Sequence, residues 1–92
     1  ANSGSEKMAL TIGLVQRLKV TAPPVLAWVY IGPTSSNTTF LFVHQPAGLP
    51  PEEIAYRATM VDALSSAAIA GHEVSATHAT AGSEITMVEI LA

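Results

Sequence analysis

Two of the three histidines of this chain are spaced as metal ligands could be. His72 and His78 are six residues apart across the start of a predicted strand, and an even separation along a strand places two side chains on one face. Two histidines on one face could supply two of the ligands of a metal site. His72 also directly follows Gly71, where the dipole of a preceding helix favours a histidine. We therefore expect no metal ligand, and keep a small metal-binding or enzymatic protein using His72 and His78 as the alternative.

Other side chains with chemical potential are not grouped. The candidate nucleophiles lie outside a G-x-S-x-G elbow, and they are Ser35, Ser36, Ser65 and Ser66. Glu52 and Glu53 belong to a predicted helix start, and the remaining carboxylates are dispersed without an acid–base pair. The six glycines are isolated, so no phosphate-binding loop is indicated. We expect no catalytic residue, no cofactor and no enzymatic activity.

The composition favours a small protein that associates with itself. Of the 92 residues, 49% are hydrophobic and only 12% are charged, about half the usual charged fraction. Such a chain has little charged surface with which to remain monomeric, so we expect a homo-oligomer. The chain has no cysteine, which excludes disulfides and thiolate sites. Its apolar runs are too short for membrane insertion.

The charges argue against a nucleic-acid partner. Four basic residues stand against seven acidic ones, for a formal net charge of -3. The basic residues are scattered along the chain, whereas a row of phosphates needs several cations together. We therefore expect no nucleic-acid partner. A nucleic-acid-binding protein is the rival hypothesis, and a steep salt dependence of oligonucleotide binding would support it.

The N-terminal stretch differs in character from the remainder. Residues 1–7, ANSGSEK, are small and polar, and hydrophobic patterning begins at Met8. We interpret residues 1–7 as an added or disordered segment and residues 8–92 as one domain. With Met8 as the native start the protein would be cytoplasmic. With residue 1 as a processed N-terminus it would be secreted.

Periodicity predicts five strands and one helix. The strands are predicted over Leu10–Thr21, Val25–Ile31, Thr38–His44, Glu73–Thr80 and Glu84–Leu91. In the first strand, Ile12, Leu14, Leu18 and Val20 are expected on one face, Arg17 and Lys19 on the other, with a bulge or bend at Gly13. The helix should begin near Pro51 and end at Gly71, with a buried stripe of Ile54, Ala58, Val61, Leu64 and Ala68.

The order β-β-β-α-β-β predicts a mainly β fold with one helix, as in a five-stranded OB-like β-barrel. An α+β sandwich could share this order. The passage MVDALSSAAIAGHEVSATHA, followed by a final strand, resembles the B subunits of bacterial AB-type toxins. The resemblance implies an OB-fold subunit of a pentameric ring that binds cell-surface glycans.

Trp28 and Tyr30 are the candidate anchors of an interface. They alternate with Ala27, Val29 and Ile31, whose branched or small shapes suit the interior of a narrow barrel. Trp28 and Tyr30 carry polar tips that need partners when buried, so we expect them to point outward as a subunit interface. A ligand platform and plain core are the alternatives.

The polar loop between the second and third strands is the candidate ligand site. From Gly32 the chain runs through turn-forming residues, and Thr34, Ser35, Ser36 and Asn37 offer uncharged hydroxyl and amide groups. These groups suit a neutral hydroxylated ligand, with a solvated turn as the alternative. Asn37 also begins an N-glycosylation acceptor pattern. The sequence therefore predicts a non-enzymatic homo-oligomeric binding module for a neutral glycan or another hydroxylated ligand, with a structural assembly protein that has no small-molecule ligand as a further alternative.

Overall fold

The computed structural model describes residues 7–91 and contains the six predicted elements in the predicted order. They are β1 (Met8–Val20), β2 (Val25–Thr34), β3 (Asn37–His44), α1 (Pro51–Ala70), β4 (Glu73–Ala79) and β5 (Ile85–Leu91). The prediction of an added or disordered segment concerns residues 1–7, of which residues 1–6 lie outside the described part of the chain.

The five strands form one antiparallel sheet in the order β3-β2-β1-β4-β5. β1 is the central strand and pairs with both β4 and β2. Its first half, from Met8 to Leu14, pairs with β4, and its second half, from Leu14 to Val20, pairs with β2. The long first strand thereby joins two hairpins, β2–β3 and β4–β5, into one curved surface.

The two ends of this sheet touch at one place. The Phe42 amide donates a hydrogen bond to the Ser83 carbonyl oxygen at 2.9 Å, and Phe42 forms a parallel bridge with Glu84. Between residues 7 and 91 no continuous ladder joins β3 to β5. The sheet therefore stays open, and the structure confirms the mainly β class and the element order without confirming a closed barrel.

The bulge in β1 lies at Gln16, three residues after the predicted position. The pairing with β2 shifts between Val15 and Arg17, so the outward side chains are even-numbered before the bulge and odd-numbered after it. Leu10 and Ile12 are consequently exposed, and the predicted common face of Ile12, Leu14, Leu18 and Val20 is wrong. An extra residue in one strand reverses the alternation beyond it.

Gly13 and Gly32 have a different role, which is close approach of two backbones. A Cβ atom on Gly13 would lie 2.9 Å from the Gly32 Cα atom, and a Cβ atom on Gly32 would overlap the Asn37 carbonyl oxygen. The missing side chain of Gly13 lets β1 approach β2, and that of Gly32 lets β2 approach β3. Gln16 reinforces the approach by donating from Nε2 to the Gly32 carbonyl oxygen at 2.9 Å.

The hairpin turn is shorter than predicted. β2 continues through Gly32, Pro33 and Thr34, and only Ser35 and Ser36 form the turn before β3. Thr34 pairs with Asn37, and the register shifts between Ile31 and Thr34. Gly32 and Pro33 therefore belong to an irregular strand end and not to the loop.

The core lies between the inner face of the sheet and α1. Its fully buried large side chains come from four strands and the helix: Val29, Ile31, Leu41, Val43, Leu64, Val74 and Ile85. The buried positions of α1 are Met60, Leu64 and Ala67. Ile54 and Ala58 are exposed, so the predicted stripe is rotated, because an alanine-rich helix offers several faces of similar size and polarity. Among residues 7–91, no helix combines the length and apolar character needed to cross a bilayer.

The ends of α1 follow the expected chemistry. Pro51 occupies the first turn together with Glu52 and Glu53, where negative charge is favoured. Gly71 adopts a left-handed conformation with φ 73° and donates its N–H to the Ala67 carbonyl oxygen. The predicted C-cap glycine is therefore confirmed.

Candidate functional site

The outer surface of β2 and β3 carries four aromatic rings. Trp28 is paired with Phe42 and Tyr30 with Phe40 in the antiparallel register. The Trp28 and Phe40 ring centroids are 5.2 Å apart and the Tyr30 and Phe40 centroids 5.4 Å apart. Because the residues between them are fully buried, these rings point outward, with Trp28 37% exposed. The predicted outward orientation of Trp28 and Tyr30 is confirmed; an interface or ligand role stays a prediction.

Two cations stand beside these rings. Arg17 is paired with Tyr30 and Lys19 with Trp28 across the β1–β2 ladder. The Arg17 guanidinium carbon lies 5.8 Å from the Tyr30 ring centroid, a distance at which a cation is attracted to the ring face. We call this surface the aromatic face, and its residues are Arg17, Lys19, Trp28, Tyr30, Phe40 and Phe42.

A groove extends from the aromatic face to the β2–β3 turn. It encloses about 420 Å³ and is lined by Gln16, Arg17, Tyr30, Ser35 and Thr38; we call it the loop-end groove. Its lining residues supply one phenol ring with its hydroxyl, one guanidinium, one amide and two aliphatic hydroxyl groups. Sites of this kind, with few polar groups beside an apolar surface, bind and orient small molecules.

Of the predicted ligand residues, only Ser35 lines the loop-end groove. Thr34, Ser36 and Asn37 are exposed at the turn, where the Thr34 and Ser36 hydroxyl oxygens are 3.3 Å apart. The turn therefore contributes one hydroxyl group to the groove, and the strands contribute the others.

No family model, curated protein or solved structure matches this chain.

The two histidines of the alternative metal site have unlike surroundings. His72 is exposed after the C-cap, whereas His78 is 8% exposed. His78 Nδ1 faces the carbonyl oxygens of Ala79 and Gly82 at 2.9 and 3.0 Å, and its Nε2 is 2.7 Å from Thr11 Oγ1. Carbonyl oxygens only accept, so Nδ1 carries a hydrogen and donates to them, while Nε2 shares a hydrogen bond with the Thr11 hydroxyl. Both ring nitrogens are thus engaged in holding β1, β4 and the following turn together.

A second polar cluster surrounds Arg57 on the helix. Its Nη1 atom donates to the His44 carbonyl oxygen at 2.6 Å and lies 3.3 Å from Glu84 Oε2, and Nη2 lies 3.5 Å from Glu53 Oε1. The same Glu84 oxygen is 3.9 Å from His44 Nδ1. These contacts join α1 to the end of β3 and to the start of β5. Within the described residues, no group of three or more His, Cys, Asp or Glu side chains is arranged to hold a metal ion.

The sequence alone did not identify Gln16 and Thr38 as residues of the loop-end groove. It also did not identify Phe40 and Phe42 as residues of the aromatic face. The alternation of Phe40 and Phe42 with Leu41 and Val43 was the available signal for an outward pair in β3. A second signal was the distribution of charge: residues 7–51 contain Lys7, Arg17 and Lys19 and no aspartate or glutamate. The half of the chain that builds the aromatic face is therefore locally basic, although the whole chain is acidic.

Proposed function

We propose that this chain is a non-enzymatic binding module that holds a hydroxylated ring ligand, of which a glycan is the leading example, in the loop-end groove. The observation that carries the proposal is the convergence of the Tyr30 ring, the Arg17 guanidinium and the hydroxyl groups of Ser35 and Thr38 on one groove. A sugar ring has an apolar face that packs on an aromatic side chain and hydroxyl groups that need hydrogen-bond partners at its edge.

The architecture we propose is OB-like. The strand order, the shared central strand and the approach of Phe42 to Ser83 support it, since full pairing of β3 with β5 would close the barrel. In such a fold the turn between the second and third strands lies beside the outer surface of those strands. The ring-forming, glycan-binding use implied by the resemblance to toxin B subunits is part of this proposal.

Arg17 extends the ligand class beyond the neutral compounds expected from the loop residues. Its planar guanidinium can donate two parallel hydrogen bonds to a carboxylate, or to neighbouring hydroxyl groups of a neutral sugar. The position of Arg17 over Tyr30 limits its side-chain freedom, which reduces the entropy lost on binding. The same groove can therefore take neutral and acidic ring ligands.

A glycan array containing neutral and acidic structures tests this proposal. We expect binding by the wild type, and a loss of about tenfold in affinity for Arg17→Gln and for Tyr30→Ala, because each removes one of the two strongest contacts. Lys7→Gln is the matched control for Arg17→Gln, since it removes the same charge away from the groove. A blank array for the wild type, or equal losses for Lys7→Gln and Arg17→Gln, would contradict the proposal.

A further inference from the structure

The outer surface on the other side of the β1 bulge exposes large aliphatic side chains. Leu10, Ile12 and Met87 are 61%, 53% and 56% exposed. The register places Leu10 and Met87 in one row across Thr77, and Ile12 and Glu89 in the next row across Ser75. We call this surface the aliphatic face, and its residues are Met8, Leu10, Ile12, Thr77, Met87 and Glu89. The exposed apolar side chains come from β1 and β5, with Thr77 of β4 between Leu10 and Met87, and several large exposed apolar side chains on one surface are typical of an interaction site.

The aliphatic face and the aromatic face carry charges of opposite sign. Residues 52–92 contain Glu52, Glu53, Asp62, Glu73, Glu84 and Glu89 against the single base Arg57. Glu89 belongs to the aliphatic face, and Glu73 is exposed on β4 in the next row of the register, between Leu14 and Leu91. The aromatic face carries Arg17 and Lys19, and β1, β2 and β3 contain no acid at all. Surfaces with opposite potentials attract and orient one another.

The side chains of the two faces are also complementary in shape. The aromatic face offers flat rings, and the aliphatic face offers flexible and branched side chains that can pack between them. Methionine sulfur makes favourable contacts with aromatic rings, and Met8 and Met87 are both exposed. Aromatic anchors surrounded by aliphatic side chains are characteristic of the centre of protein interfaces.

We propose that the partner of the aliphatic face is the aromatic face of a second copy of this chain. The Trp28 end of one copy then packs on Leu10 and Met87 of the next, with Lys19 opposite the acidic pair Glu73 and Glu89. Because the contact joins two different faces, every copy has one of each to offer, and the contact repeats until a ring closes. β1 extends through both faces, and the bulge at Gln16 turns Arg17 and Lys19 outward in its second half.

This assembly rests on the ring-forming part of the proposed function and is separable from its ligand-binding part. The Trp28–Phe42 row is farther from the Ser35–Ser36 turn than the Tyr30–Phe40 row, so the loop-end groove remains at the open margin of the contact. Failure of the glycan array would leave the assembly untouched, and a monomeric protein could still bind a glycan.

Charge reversal with complementation tests the proposal. The variants Lys19→Glu and Glu89→Lys are compared with the wild type by light scattering over a range of micromolar concentrations. We expect the wild type to be a closed oligomer, and each single reversal to raise the half-dissociation concentration by about tenfold, because like charges then face each other. An equimolar mixture of the two variants should recover most of the oligomer, because each contact between unlike variants pairs a lysine with a glutamate. In a ring with an odd number of subunits one contact joins two copies of the same variant, so recovery there is incomplete.

The controls place the same charge changes elsewhere. Asp62→Lys and Ser66→Glu alter exposed positions of α1 and should keep the wild-type mass. Leu10→Gln changes an exposed residue, so it should dissociate the oligomer while retaining the circular dichroism spectrum. A wild type that is monomeric at high micromolar concentration overturns the proposal. So does dissociation by Lys19→Glu with no effect of Glu89→Lys, which would mean that the aromatic face pairs with itself.

Discussion

The Trp28 ring stacks on the Phe40 ring of the neighbouring strand, with the centroids 5.2 Å apart and the ring planes inclined by 29°. The two side chains lie outside the core, yet each shields the other from water. A cross-strand aromatic pair of this kind contributes about 0.5–1.5 kcal/mol beyond the area that it buries. Its removal should therefore affect the free energy of unfolding much less than removal of a core residue of the same strand.

Trp28→Ala and Ile31→Ala form a matched pair on opposite faces of β2. At low protein concentration we expect Trp28→Ala to cost about 1–2 kcal/mol and Ile31→Ala about 2–5 kcal/mol, because Ile31 is fully buried and its truncation leaves a cavity. Denaturant unfolding measures both. If Trp28 also anchors an oligomer, its cost should rise with protein concentration while that of Ile31→Ala should not. Equal costs at every concentration would contradict the two-face assignment.

Leu64→Ala tests how α1 is seated on the sheet. Leu64 is fully buried and Ile69 is 86% exposed. Leu64→Ala should lower the free energy of unfolding by about 2–5 kcal/mol through cavity formation, whereas Ile69→Ala should change it by less than about 0.5 kcal/mol. Chemical denaturation of both variants gives the comparison. A loss below about 1 kcal/mol for Leu64→Ala would show that another face of the helix is buried.

Gly32→Ala should be among the most damaging single-methyl changes in the chain. The added Cβ atom would overlap the Asn37 carbonyl oxygen, so β2 and β3 must separate where they now approach. At Gly82 the nearest atom, the Ala79 Cβ, would be 3.5 Å away, which is ordinary contact. We expect Gly32→Ala to reduce the melting temperature by several degrees, as for a loss of about 1–3 kcal/mol. Gly82→Ala should melt close to the wild type, and similar melting of the two variants would argue against the close approach.

Two substitutions of His78 test how much the hydrogen bonds of its Nδ1 atom contribute to stability. His78→Asn can keep a donor near the position of Nδ1, facing the Ala79 and Gly82 carbonyl oxygens, and loses the contact with Thr11. His78→Ala loses both sides and leaves buried partners unsatisfied, at a cost of about 1–3 kcal/mol. We therefore expect His78→Ala to be the less stable variant in thermal unfolding. The reverse order would mean that the hydrogen bonds to the Ala79 and Gly82 carbonyl oxygens contribute little to stability, because both variants lose the contact with Thr11.

For a single regular strand, the sequence predicted which side chains of the site point outward. The alternation of Trp28 and Tyr30 with Ala27, Val29 and Ile31 assigned their directions, because successive side chains of a strand point to opposite sides. The same rule failed in β1, since one extra residue at Gln16 reverses every direction beyond it. Alternation is a local property, whereas a bulge depends on the partner strand.

The elements, their order and the two ends of the helix were determined by the sequence itself. Proline pairs interrupt the strands, helical spacing begins after Pro51, and Gly71 ends the helix because it adopts a left-handed conformation without a side-chain clash. Only the tertiary structure decided which surfaces these elements share. The hairpin register brings Phe40 and Phe42 beside Tyr30 and Trp28, and the shared first strand separates a basic aromatic face from an acidic aliphatic one. Such neighbours are distant in sequence, and their positions depend on cross-strand registers that a single irregular residue can shift.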